Sequence, residues 1–106
     1  MNEANMTAYI IVEAIVHDPK AFSAYAQKVP VIVAQFGGEY LVLGGPQESL
    51  EGDWSTSRVV MHRWPSAEQA RAFWESDEYA AAKPLREGTG DFRVILVEGV
   101  QQTVLE

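Results

Sequence analysis

The chain contains no cysteine. This absence excludes disulfides, thiol catalysis and zinc–thiolate sites, and it fits a reducing compartment. Basic residues are also scarce, because 8 lysines and arginines stand against 15 acidic residues and give a net charge of −7. Nucleic acids and anionic membranes attract cationic surfaces, so we expect neither as a partner.

Long hydrophobic runs and several well-known motifs are missing too. The longest apolar stretch is far too short to span a bilayer, and residues 1–5 lack the basic start of a signal peptide. We therefore expect a cytoplasmic protein. There is no Gly-x-Ser-x-Gly elbow, no phosphate-binding glycine motif and no set of metal ligands at a recognisable spacing. We expect no metal and no cofactor.

Apolar strand-like segments are what the chain has in quantity. A sheet with one wet face alternates apolar and polar residues, and these segments mostly do not. Only two main helices are available to cover the sheet, and two helices cover one face. We expect a second copy of the chain to cover the other face, which makes the protein a homodimer. The predicted strands are Ala8–Val16, Glu39–Leu43, Arg58–Trp64 and 92–98.

The first predicted helix lies between strands one and two. Asp18 followed by Pro19 is typical of an N-cap with proline at the first helical position. Pro30 interrupts the apolar pattern and should kink the helix or split it in two. The glycine pair Gly37-Gly38 should end it.

The second helical region follows strand three. Ser66 and Gln69 have capping-box spacing, so a helix should begin there. Asp77 is predicted to cap a further short helix that runs through Ala82. The connection 46–57 is longer than a usual hairpin loop, and such loops often take part in function or contacts.

The order of elements is therefore β-α-β-β-α-β. This order predicts an α+β, ferredoxin-like fold with a four-stranded antiparallel sheet. At 106 residues the chain has room for one domain. We expect a flexible leader over 1–7, the domain over 8–99 and a tail over 100–106.

A set of residues in one fixed order also resembles a known family. The set consists of Asp18-Pro19, Tyr25, Pro30, Gly37-Gly38, Gly44-Gly45, Leu50 to Gly52, Arg58, Pro65-Ser66, Tyr79 and Glu98-Gly99. Over about residues 8–99 it resembles a family of small bacterial proteins known as domain of unknown function 1330. Members often carry arginine just before the second glycine pair, where this chain has Leu43. If that arginine binds a ligand, this chain lacks the function or supplies the charge elsewhere.

The resemblance implies a place in the dimeric α/β-barrel superfamily. In that superfamily two ferredoxin-like chains pack sheet to sheet. It contains cofactor-independent monooxygenases, lactone isomerases, haem-handling enzymes and proteins without an assigned activity. The expected fold is thus a dimeric α/β barrel.

His62 is the first candidate for catalysis. It is the only histidine inside a predicted regular element, and it shares a strand face with Val60 and Trp64. A histidine in such a place can act as a general base. The alternative is a half-buried histidine that is hydrogen-bonded across the sheet or at the dimer seam.

Glu13 is the second candidate, because it interrupts an apolar strand. One face of that strand is entirely apolar, with Ile10, Val12, Ala14 and Val16. If that face packs against the helices, Glu13 points into the space between the sheets of the two chains in the expected dimer. A carboxylate there needs a partner or a raised pKa. We expect Arg58 or Arg63 on strand three to pair with it, either as a structural ion pair or as part of a catalytic site.

Arg58 and several aromatic residues are candidates for ligand binding. Arg58 can bind an anionic group, or it can pair with Asp53 or Glu51 in the preceding loop. Trp54 stands in that loop and is predicted to be a lid or a contact to the partner chain. Aromatic walls suit a flat organic ligand. The predicted lining residues are Trp54, Tyr40 and Tyr79.

Two functions remain open at this point. The first is a cofactor-independent enzyme, monooxygenase- or isomerase-like, that acts on a small organic molecule through His62 and Glu13. The alternative is a non-catalytic module that binds a small molecule or another protein, which the lack of a complete catalytic constellation favours.

Overall fold

The computed structural model describes residues 6–54 and 57–100, and its strands form one sheet. The strands are β1 (Ala8–Val16), β2 (Glu39–Leu43), β3 (Arg58–Trp64) and β4 (Gly90–Glu98). Their order across the sheet is β2-β3-β1-β4, and every neighbouring pair is antiparallel. The predicted ferredoxin-like α+β fold is confirmed. The expected leader and tail fall largely on 1–5 and 101–106, outside the described residues.

Strand β4 begins two residues earlier than predicted. Gly90 pairs with Val16, and a Cβ added to Gly90 would lie 2.2 Å from the carbonyl oxygen of Ile15. Only glycine permits this close approach of two strands. In the sequence Gly90 follows Gly88-Thr89 and is typical of a turn. Its place in β4 depends on its pairing with β1, which the local sequence does not show.

Helix α1 (Pro19–Gln35) is continuous over 17 residues. The Asp18 side chain accepts a hydrogen bond from the Ala21 amide at 3.1 Å, which confirms the predicted N-cap. Pro30 does not split the helix, so that alternative was wrong. Proline removes one backbone hydrogen bond, and the buried side chains of Val29 and Val33 hold both neighbouring turns on the core. Gly37 follows the helix with φ at 91°.

Helices α2 (Ala67–Trp74) and α3 (Asp77–Ala82) are both capped by serine. Ser66 accepts from the Gln69 amide at 3.1 Å, as predicted. The Gln69 side chain instead donates to the Phe36 carbonyl at 2.7 Å, so it closes the end of α1. The cap of α3 is Ser76, whose Oγ accepts from the Tyr79 amide at 3.0 Å, rather than Asp77. A 3₁₀ turn (Lys83–Arg86) leads from α3 toward β4.

The hydrophobic core lies between the helices and one face of the sheet. Trp64 and Phe73 are its largest fully buried side chains, and their rings stack with centroids 4.9 Å apart. A Cβ added to Gly38 would lie 2.6 Å from the Trp64 ring, so the glycine lets β2 begin directly beside the indole. Among the described residues, no helix is long and apolar enough to cross a membrane.

The opposite face of the sheet, which we call the open face, carries apolar side chains with several charged ones among them. Within residues 6–54 and 57–100 no helix packs on it. Its side chains on β4 alternate with the half-buried ones of the helix-covered face, and Ile95 is 56% exposed. The open face consists of Tyr9, Ile11, Glu13, Ile15, Glu39, Val42, Val59, Met61, Arg63, Asp91, Arg93, Ile95 and Val97.

Candidate functional site

A cavity of about 350 Å³ lies between α1 and the helix-covered face of the sheet. Its floor is formed by Ile10, Val12 and Ala14 of β1 together with residues of β3 and β4. Helix α1 forms its roof with Phe22, Tyr25, Ala26, Val29 and Pro30. Apolar walls with a few convergent polar groups are typical of sites for small organic molecules, and the volume suits one.

The strand register gives the cavity two chemically different ends. Its outer row across the sheet consists of Arg58, Ala14 and Phe92. Its inner row consists of Tyr40, His62 and Ile10. Residues 58 and 62 are four positions apart on β3, so about 13 Å of strand separates the rows.

His62 stands at the inner end and is 5% exposed. Its ring meets Tyr40 edge-on, with centroids 4.6 Å apart, and lies 6.1 Å from the Phe73 ring. Nδ1 is buried and has no hydrogen-bond partner in the part of the chain that the structure describes. Burial lowers the pKa of His62 from 6.5 to about 4, because the charged form loses its hydration. The imidazole is therefore neutral at physiological pH.

Three tyrosines, Tyr25, Tyr40 and Tyr79, line the cavity. The hydroxyl oxygens of Tyr25 and Tyr79 are 2.7 Å apart and share a hydrogen bond. Burial, and then the neighbouring Tyr79, raise the pKa of Tyr25 far above its usual range. Burial raises the pKa of Tyr40 to about 12. Tyr25 and Tyr40 therefore keep their protons at neutral pH and can donate hydrogen bonds to a ligand.

Two arginines line the cavity as well. Arg58 was predicted from the sequence, whereas Arg86 was not. The Arg86 guanidinium lies over the Phe92 ring at 4.7 Å and the Tyr25 ring at 5.8 Å, so both arginines stand at the outer end. No sequence spacing indicated Arg86, because its position depends on how the 3₁₀ turn folds back over β4.

The predicted partners of Arg58 do not bind it. Among the described residues, neither Arg58 nor Arg86 takes part in an ion pair. The pairing of Arg58 with Asp53 or Glu51 was one of two alternatives, and the structure forms no such pair. The alternative in which Arg58 binds an anionic ligand stays open.

Glu13 lies on the open face, away from the cavity. Its carboxylate binds Arg93 of β4, which donates through Nε at 2.7 Å and also through Nη2. The expected pairing with Arg58 or Arg63 is wrong: Arg58 belongs to the opposite face, and Arg63 binds Glu39 at 3.0 Å. The hydrogen bond from Arg93 holds the pKa of Glu13 below its ordinary value. The structure does not bring Glu13 and His62 together.

Trp54 also lies outside the cavity. Its indole donates to the Glu51 carbonyl at 3.1 Å. With Leu50 it lines a shallow depression that includes Val42 and Val59 of the open face. Of the predicted site residues, the cavity therefore unites His62, Tyr40, Tyr79 and Arg58, and leaves Glu13 and Trp54 on the other side of the sheet.

No group of three histidine, cysteine or acidic side chains within the described ranges is placed to hold a metal ion. The rings that contact His62 are those of Tyr40, Trp64 and Phe73.

Comparison with known proteins identifies the family. The family described as a domain of unknown function, DUF1330, matches residues 7–100. The chain belongs to this family. No curated protein matches it.

Solved structures similar to this DUF1330 chain share its fold. A protein of unknown function from Rhodopseudomonas palustris has a TM-score of 0.74 and 15% identity, over 92% of this chain and 85% of that one. SnoaB, a cofactor-independent oxygenase from Streptomyces nogalater, has a TM-score of 0.64 and 13% identity, over 96% and 99%. A proposed antibiotic biosynthesis monooxygenase from Nitrosomonas europaea has a TM-score of 0.57 and 16% identity, over 92% and 94%. These likenesses show that the chain has the same ferredoxin-like α+β fold as these proteins.

Proposed function

We propose that this DUF1330 protein is an enzyme that removes a proton from a small organic molecule without a cofactor. Proton removal is a first step that monooxygenation and isomerisation can share. The observation that carries the proposal is the buried, neutral His62 at the inner end of an apolar cavity. The likeness of the fold to a cofactor-independent oxygenase supports it by analogy.

The surroundings of His62 explain how a weak base can act here. A free imidazole with a pKa of about 4 has little affinity for a proton. When it takes a proton from an uncharged C–H group of the substrate, however, an imidazolium and a carbanion form side by side. In an apolar cavity this pair attracts strongly, which offsets the cost of both charges. The Tyr40 ring stands edge-on to the imidazole, and its protonated phenol is the hydrogen-bond donor that we assign to the oxyanion.

The substrate anion then has two balanced fates. In isomerisation His62 returns the proton to a different atom of the same molecule. In oxygenation the carbanion adds dioxygen, and the peroxide that forms takes the proton back from His62. Breaking its O–O bond with loss of water leaves a carbonyl, so a CH₂ group and O₂ become C=O and H₂O.

Hydrogen exchange tests the first step without knowledge of the natural substrate. We would incubate the protein with enolisable bicyclic ketones such as 2-tetralone in D₂O and measure deuterium uptake by mass spectrometry. His62→Gln should slow enzyme-dependent exchange about 100-fold or more, the usual contribution of a general base. His17→Gln is the matched control, since His17 is exposed and pairs with Asp91 outside the cavity. Exchange that persists in His62→Gln would exclude the assigned role, and binding without exchange would support the non-catalytic module.

The assembly that we propose is a homodimer formed through the open face. Ile95 and Val97 are 56% and 40% exposed there, a large apolar surface for a small domain. A second copy supplies the same surface, and a two-fold axis matches it to itself. Trp54 and Leu50, beside the open face, are then positioned to touch the partner chain. With a net charge of −7 we continue to expect neither nucleic acid nor a membrane as a partner.

A further inference from the structure

The outer end of the cavity carries two positive charges without a counter-ion among the described residues. Arg58 lies in the outer row on β3, and Arg86 stacks on Phe92 of the same row. Arg86 Nε is buried and has no hydrogen-bond partner in residues 6–54 and 57–100. This is unexpected in a chain with 15 acidic and 8 basic residues, where carboxylates are plentiful.

Arg58 and Arg86 both line the cavity at its outer end. Arg58 and Phe92 are two strands apart, on either side of β1, so their backbones are separated by about 10 Å. The long side chains of Arg58 and Arg86 can reach a group between them. A guanidinium is planar and matches the two oxygens of a carboxylate, and such charge-assisted pairs are stronger than neutral hydrogen bonds.

The walls between the two ends define the rest of the ligand. From the outer row to the inner row the floor consists of Ala14, Val12 and Ile10, flanked by Val60 and Val94. None of these side chains has a polar atom. A ligand that spans the cavity must therefore be apolar along its middle and polar at both ends.

We propose that the substrate is an organic acid. Its carboxylate binds between Arg58 and Arg86, its flat apolar body lies on the valine floor, and its reacting end lies beside His62. The inference rests on the proposed function for the reacting end, but the carboxylate site stands on its own residues.

The test compares a rigid acid with its neutral counterpart. The probes are 6-hydroxy-2-naphthoate and 6-hydroxy-2-naphthamide, which differ only in the group at the arginine end. Isothermal titration calorimetry should give the acid at least about tenfold tighter binding than the amide, as expected for a charged hydrogen-bonded pair. Inorganic phosphate should compete weakly, because it lacks the apolar body.

Arginine variants show which side chains cause the difference in affinity between the acid and the amide. Arg58→Gln and Arg86→Gln should each weaken binding of the acid about tenfold and leave the amide unchanged. Arg58 is exposed, so its variant should fold normally even if replacement of the half-buried Arg86 destabilises the protein. Arg58→Lys should recover part of the affinity. Arg71→Gln removes an exposed arginine of α2 outside the cavity and serves as the control.

The outcomes separate this inference from the proposed function. Equal affinity for acid and amide, no binding of the acid, or a preference for acid that is undiminished in both Arg58→Gln and Arg86→Gln would each overturn the carboxylate site. In contrast, if the acid preference holds but His62→Gln keeps full exchange activity, the proposed chemistry falls and the carboxylate site remains.

Discussion

His62 and Glu13 are both titratable side chains on β strands, and their surroundings act on them in different ways. His62 is enclosed by the rings of Tyr40, Trp64 and Phe73, so desolvation alone suppresses its charge. Glu13 keeps its charge because Arg93 binds it. His62 is therefore a neutral base inside the chain. Glu13 and Arg93 form an ion pair on the open face, the surface that we propose for the dimer interface.

The first prediction at this scale concerns stability against pH. The pKa of His62 is about 4 in the folded chain and 6.5 ordinarily, so between these values the unfolded chain binds a proton that the folded chain excludes. Stability should consequently fall as the pH is lowered from about 6.5 to about 4, by roughly 3 kcal/mol in total. Urea unfolding at a series of pH values measures this. His62→Gln should flatten the profile over that range; identical profiles for wild type and His62→Gln would contradict the prediction.

The second prediction concerns the Tyr25–Tyr79 hydroxyl pair. Tyr79 is 2% exposed, and its hydroxyl bonds that of Tyr25. Tyr25→Phe should cost about 1–3 kcal/mol, because it leaves a buried hydroxyl unpaired. The double variant Tyr25→Phe/Tyr79→Phe should recover part of this loss. A double-mutant cycle in urea checks it, and simple additivity of the two single changes would refute the coupling.

The face on which a side chain lies could be predicted from the sequence where the alternation within a single strand determines it. The alternation of Val60, His62 and Trp64 placed all three on one face, and the structure has them there. The partner of Glu13 required the register between β1 and β4, which no local pattern specifies. Arg86 required the path of a turn, which is set by tertiary packing.

Close backbone contacts decide where the elements begin and end. Strands β1, β2 and β3 have their predicted bounds, because uninterrupted apolar runs mark them. Strand β4 begins at Gly90 and the N-cap of α3 is Ser76, and both differ from the prediction. Glycine occurs in turns as well as in strands, and both serine and the acidic residue that follows it can cap a helix. Pro30 lies within a helix that packing holds together.

The prediction at this scale uses two glycines. Gly90→Ala places a Cβ against the Ile15 backbone, which cannot move without disturbing β1, so we expect a loss of about 2 kcal/mol or more. Gly45→Ala is the matched control: a Cβ there meets nothing within 4 Å, and the cost should stay within about 0.5 kcal/mol. Thermal and urea unfolding measure both. Equal stabilities for the two variants would show that β4 does not begin at Gly90.

In the whole molecule, the two faces of the sheet have different roles. The helix-covered face holds the core and the cavity, and the open face has apolar side chains with the Glu13–Arg93 pair among them. A dimer formed on the open face leaves the outer end of the cavity accessible, because the site and the interface lie on opposite sides of the sheet. Assembly and substrate entry therefore do not compete.

The last prediction is that the chain forms a dimer through the open face. The wild-type protein should sediment at twice the 11.8 kDa mass of one chain, and Ile95→Glu should shift it to the monomer. A buried glutamate in a sheet-to-sheet contact has no water and no partner, whereas on an exposed strand it costs little. Val31→Glu is the matched control, since Val31 is 58% exposed on α1, close to the 56% of Ile95, but lies away from the open face. Both variants should keep the wild-type circular dichroism. If Val31→Glu dissociates the dimer and Ile95→Glu does not, the chains associate through their helices and the open face needs another partner.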